Sequence, residues 1–86
     1  VQVRYFAAAK AATGVEAEQL PAPETLGALL RLLGARHSAS ASDSAPALPD
    51  LLPNCSFLHN GVAVRRGEIP LSDSDTVDVL PPFAGG

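Results

Sequence analysis

The chain has no methionine or tryptophan, one cysteine, one tyrosine and three phenylalanines among its 86 residues. A single cysteine rules out an intrachain disulfide, which fits a reducing compartment, and a cytoplasmic location is expected. With no methionine, the initiator was removed or lies outside this numbering. Six scattered basic residues against nine acidic ones give a formal net charge of −3. That balance argues against nucleic acid as the principal partner. No window approaches the roughly 18 uninterrupted apolar residues of a membrane span, so no membrane association is expected. Nor does Val1-Gln2-Val3-Arg4 have the charged start and apolar stretch of a signal peptide.

The familiar catalytic patterns are missing too. There is no phosphate-binding glycine motif, Ser-His-Asp set or nucleophile elbow. His37 and His59 are far apart in sequence and have no cysteine partner, so a zinc site is not expected. Asp73, Asp75 and Asp78 lack the turn glycine and closing glutamate of a calcium loop and read as a solvated turn. Cys55, between Asn54 and Ser56, has no base or electropositive setting and reads as a small buried hydrophobe. No metal and no permanently bound cofactor are expected, and the chain has no catalytic groups of its own.

What is present is a single α+β domain over residues 1–86. Val1 to Phe6 alternates with a period of two and predicts a strand with Val1, Val3 and Tyr5 on one face and Gln2, Arg4 and Phe6 on the other. Ala7 to Thr13 predicts a short helix stopped by Gly14, and Val15 to Leu20 a weaker strand ended by Pro21. Leu26, Leu29, Leu30 and Leu33 form the stripe of an amphipathic helix with Thr25 as N-cap and Gly34 as C-cap. Residues 38–53 form a Ser/Ala/Pro-rich stretch that reads as a flexible insertion, with Leu48, Leu51 and Leu52 bringing it back to the body. Asn60-Gly61 between Ser56–His59 and Val62–Arg65 is a strong hairpin signal, with His59 a half-buried structural histidine. Ser72-Asp73-Ser74-Asp75 predicts a turn and Thr76–Leu80 the last strand, with Val77 and Val79 inward and Thr76, Asp78 and Leu80 outward. If the first and last strands are neighbours, Phe6 and Leu80 form an exposed apolar patch.

Beside that patch begins a tail, residues 81–86, with the sequence Pro81-Pro82-Phe83-Ala84-Gly85-Gly86. A diglycine fits a channel too narrow for any Cβ and adopts backbone angles closed to other residues. What it presents is an ionised carboxylate, a poor electrophile until activated. Six residues reach at most about 20 Å, and the two prolines reduce the entropy lost when the tail is ordered.

These segments resemble a known family, the ubiquitin-like β-grasp sulfur carriers (MoaD/ThiS), and within it the small subunit of molybdopterin synthase, the MoaD-like branch. The residues carrying the resemblance are Val3-Arg4-Tyr5-Phe6-Ala7-Ala8-Ala9-Lys10 through Gly14, Thr25-Leu26-Gly27-Ala28-Leu29-Leu30, and the closing run from Leu71 to Gly86. Ser74 stands where the family turn usually has glycine, which makes a positive φ there costlier.

The resemblance implies a mixed β-sheet packed on one main helix. It implies that a ubiquitin-activating-type adenylyltransferase uses MgATP to adenylate Gly86, and that sulfur then displaces AMP to leave a thiocarboxylate. Gly85 would serve the threading of the tail into the large synthase subunit, where sulfur passes to cyclic pyranopterin monophosphate. The implied assembly is a heterotetramer. On strand parity, the patch of Phe6 and Leu80 docks the partner and so positions the tail through Pro81, Pro82, Phe83 and Ala84, while Lys10, Arg65 and Arg66 add charge complementarity or serve as solvated surface. Competing readings are a sulfur carrier for thiamine or cysteine biosynthesis, a ubiquitin-like protein modifier, and a binding module with an incidental diglycine.

Overall fold

A computed structural model describes residues 1–65 and 67–82. Five strands, β1 (Gln2–Tyr5), β2 (Ala17–Gln19), β3 (Ser56–His59), β4 (Val62–Val64) and β5 (Thr76–Leu80), form one sheet in the order β2-β1-β5-β3-β4. β1 and β5 run parallel at its centre, and every other pair is antiparallel. Helix α2 (Leu26–Arg36) buries Leu26, Leu29, Leu30 and Leu33 in the same core cluster as Val3, Tyr5, Phe57, Val77 and Val79. This mixed sheet with one principal helix across it is the ubiquitin-like β-grasp arrangement.

Local chemistry explains most of the boundaries. The short helix α1 (Ala8–Thr13) ends on Gly14, which takes a left-handed φ of 76° while its N–H bonds the Lys10 carbonyl at 2.8 Å. Thr25 caps α2, its hydroxyl accepting from the Ala28 N–H at 3.2 Å. The Leu26 and Gly27 N–H groups donate to the carbonyls of Ile69 and Gly67, both at 2.9 Å. The start of α2 is therefore closed by the chain that returns towards β5. In the β3–β4 hairpin, Asn60 and Gly61 both have positive φ, 51° and 83°, as a type I′ turn requires.

Four expectations are corrected. Gly34 does not cap α2: the helix runs on to Arg36 and is capped by His37. Ala35 and Arg36 are good helix formers, and Arg36 and His37 are both held by Glu18. The strands are shorter than their patterns, β1 losing Val1 and Phe6, β2 confined to Ala17–Gln19 and β4 ending at Val64. Asp78 points outward as its parity requires, but it is only 3% exposed. Ser74 needs no left-handed backbone, because among the described residues the non-glycine positive φ values belong to Ala7 and Asn60.

The Ser/Ala/Pro-rich stretch contributes to the core. Helix α3 (Leu48–Leu51) and a 3₁₀ turn (Leu52–Asn54) follow the serines, and Leu48 is fully buried. Further back, the Ala41 N–H bonds the Ala12 carbonyl at 2.8 Å, attaching the stretch to α1.

Candidate functional site at the base of the tail

Parallel pairing decides where the outward residues meet. The register sets Arg4 opposite Asp78 and Tyr5 opposite Val79, and the Phe6 N–H bonds the Val79 carbonyl at 3.2 Å. Phe6 therefore follows β1 on the same side, and at the same end of the sheet, as Leu80. Phe6 is 38% exposed and Leu80 partly buried. Pro81 is buried and Pro82 exposed, so the tail departs beside this pair. Phe83, Ala84, Gly85, Gly86 and Arg66 lie outside the described residues. Arg65 is exposed and lines a separate depression with Cys55 and Leu58.

Three residues that sequence reasoning did not single out share this outer face. Arg4, Asp78 and Leu58 stand in one row across β1, β5 and β3. The parity of each strand carried that signal, but the row needs the strand order to be visible. The Arg4 Nε–H donates to Asp78 Oδ1 at 2.5 Å and its Nη2–H to Oδ2 at 2.7 Å. This two-pronged pairing explains how an outward aspartate can be buried, since its charge is matched and both oxygens are bonded. The same contacts raise the pKa of Arg4 above its ordinary value, so it stays a cation. The Arg4 guanidinium carbon also lies 5.9 Å from the centroid of the Phe6 ring, a cation–π arrangement.

Next to these residues a depression of about 470 Å³ is lined by Arg4, Phe6, Ala7, Lys10 and Glu16, among others. Ala7, which also lines it, adopts φ 50° and ψ −124°. Lys10 is on α1, facing out, with Glu16 4.0 Å away.

Two other polar clusters stabilise the frame. The Tyr5 hydroxyl donates to Glu18 Oε2 at 2.6 Å, and the same carboxylate receives Arg36 Nε and His37 Nε2, each at 2.6 Å. These bonds tie β1 and β2 to the end of α2. Burial raises the pKa of Glu18, but the bonds from Tyr5, His37 and Arg36 outweigh it and the net shift is downward. Burial, then the bond to Glu18, pushes the Tyr5 phenol well above its ordinary value, so it remains a donor. At the other end of the sheet His59 bonds Asp75 at 2.8 Å. Among the described residues no group of three or more His, Cys, Asp or Glu side chains could hold a metal ion. No helix among them is long and apolar enough to cross a membrane. The base of the tail therefore combines two apolar residues on one side of the sheet, a cation held by Asp78 and a concave surface.

The chain belongs to the ThiS family, whose model matches residues 3–86. It is accordingly a small ubiquitin-like sulfur carrier. Among solved structures it is similar to the Haloferax volcanii HVO 2177 protein, with 29% identity and a TM-score of 0.72 over 99% of this chain and 84% of that one. It is also similar to a chain in the complex of subunits 1 and 2 of the molybdopterin-converting factor from Helicobacter pylori 26695. That match has 25% identity and a TM-score of 0.67, covering 99% of this chain and 96% of the other. No curated protein sequence matches the chain.

Proposed function

We propose that this chain is the small, sulfur-carrying subunit of a molybdopterin synthase. The observation that carries the reading is the convergence of Phe6 and Leu80 beside the residue where the Pro-Pro-Phe-Ala-Gly-Gly tail begins. A docking patch at the root of a tail places the tail in the partner whenever the patch is bound. The likeness to a chain in the two-subunit molybdopterin-converting factor supports a large-subunit partner of the same kind.

In this reading the Gly86 carboxylate attacks the α-phosphate of MgATP on an adenylyltransferase, releasing pyrophosphate and leaving an acyl-adenylate. Sulfur at the oxidation level of sulfide displaces AMP and leaves a thiocarboxylate. In the large subunit the thiocarboxylate gives its sulfur to cyclic pyranopterin monophosphate, and water restores the carboxylate. One carrier brings one sulfur, so the two sulfurs of the dithiolene require two loadings. The carrier contributes a covalent handle and a docking surface, and the acid and base groups belong to the partner. The protein works in the cytoplasm.

The match to the ThiS family also supports a second reading, a sulfur carrier for thiamine or cysteine biosynthesis. Both share the loading chemistry and differ in the acceptor. The test is intact mass after incubation with the cognate activating enzyme, MgATP and a sulfur source. Replacement of one oxygen by sulfur, lost when Gly86 is deleted, is the expected result. Conversion of the pterin when the large subunit is added separates the first reading from the second. No mass change, with the activating enzyme competent on another carrier, overturns both.

A further inference from the structure

Asp78 occupies one side of the Arg4 guanidinium. A guanidinium carries five N–H donors, and the carboxylate takes the Nε–H and one Nη2–H. The end-on edge, made of Nη1 and the second Nη2–H, has no acceptor among the described residues. Arg4 itself is 48% exposed. The cation is thus pinned from one side by a nearly buried carboxylate and lies 5.9 Å from the Phe6 ring centroid, with its second fork left over.

The protein as a whole is acidic, with a net charge of −3. Yet the depression beside Phe6 is flanked by two cations, Arg4 and Lys10. Asp78 and Arg4 neutralise each other, so what Arg4 offers here is the unused donors of its guanidinium and not a net charge. Glu16 stands at the rim on a side chain that is 84% exposed and only 4.0 Å from Lys10, an exposed pair worth little. The free end of a guanidinium fits a carboxylate in particular.

We propose that the depression between Arg4, Phe6 and Lys10 receives a carboxylate side chain of the large synthase subunit, with Arg4 as the residue that binds it. Asp78 is a positioning residue: it fixes the guanidinium in the rotamer that presents its free edge, so little rotamer entropy is lost on binding. The inference rests on the proposed function for the identity of the partner. It adds a specificity element to the apolar pair, because a partner without an acid at this point leaves the free edge of the Arg4 guanidinium desolvated and without an acceptor.

The test is calorimetric titration of the full chain with the cognate large subunit at about 50 and 500 mM salt, where the Debye length falls several-fold. Arg4→Leu alone strands the buried Asp78, so the informative variant is Arg4→Leu with Asp78→Leu, which removes both charges together. This double variant is expected to keep a cooperative melting transition, bind roughly tenfold more weakly at low salt and lose much of the salt dependence. A purely structural pair would leave the salt dependence of binding unchanged. Wild-type affinity and salt response in the double variant overturn the proposal. Should the double variant not fold, Arg4→Lys decides: it keeps the charge but loses the fork, and unchanged affinity overturns the proposal equally. If the wild-type chain does not bind the large subunit at all, the proposed function fails and this inference with it.

Discussion

His59 Nε2 lies 2.8 Å from Asp75 Oδ2, joining the β3–β4 hairpin to the turn that opens β5. Asp75 also accepts from the Ser72 N–H and hydroxyl and from Asn60 Nδ2. The bond from His59, then those from Asn60 and Ser72, hold its carboxyl far below the usual carboxylate range. A depressed folded-state pKa gives stability that is fully present above the unfolded value, near 3.8, and is lost as pH falls towards the folded value. Glu18, also shifted downward, acts in the same direction below its ordinary value of 4.5. Melting temperatures are therefore expected to fall steeply below about pH 4. Asp75→Asn is expected to lower stability at neutral pH and flatten that fall. An unchanged pH profile in the variant would show that the carboxylate contributes nothing to folding.

Phe6 and Leu80 stand on neighbouring strands, on the same side and at the same end of the sheet, at the root of the tail. Fully burying such a side chain is worth roughly 1.5–3 kcal/mol. Phe6→Ala is expected to lower folding stability by only about 1–2 kcal/mol, because the residue is already 38% exposed. The same substitution, and Leu80→Ala, are each expected to weaken binding to the large subunit severalfold. Titration calorimetry beside a thermal melt separates the two effects. Undiminished affinity in both variants would remove the patch from the docking surface.

Ala7, between Phe6 and Lys10, pays a steric cost at φ 50° that glycine would not. The strain is of order 1–3 kcal/mol, against about 0.4–1 kcal/mol of added unfolded-state entropy for glycine. Ala7→Gly should therefore be stabilising by about 1 kcal/mol, read by urea denaturation with an unchanged m-value. A loss of stability would mean that the alanine methyl makes contacts worth more than the strain.

How much of this was legible in the sequence depended on whether a feature is local. The parity of β1 and β5, the Thr25 cap, the Gly14 stop and the Asn60-Gly61 turn are decided within a few residues, and each was readable. The end of α2 was not, because Gly34 is an ordinary stop signal overridden by Glu18, which lies 18 residues away from Arg36 in sequence. The Arg4–Asp78 pair spans 74 residues and becomes visible only once β1 and β5 are known to be neighbours. Parity alone gives Arg4 and Asp78 as outward and polar, and nothing in either strand says that one buries the other. The Phe6–Leu80 convergence was readable only as a condition on that same adjacency.

The Ser/Ala/Pro-rich stretch gives the last prediction, because its composition and its packing pull apart. Its serines satisfy one another locally: Ser42 Oγ lies 2.8 Å from Ser44 Oγ, and the Ser40 hydroxyl donates to the Ser42 carbonyl. Leu48, by contrast, is 0% exposed and packs in the same core cluster as Ala9, Ala12 and Leu33. Leucine-to-alanine changes at such sites cost about 2–5 kcal/mol, the lost transfer energy plus the cavity left behind. For a domain this small that is a large share of a total stability of about 5–15 kcal/mol. Leu48→Ala is expected to fall in that range by urea denaturation, whereas Asp43→Ala, on the exposed part of the stretch, should shift stability by no more than about 0.5 kcal/mol. Equal, small effects at both positions would mean that Leu48 contributes nothing to the core.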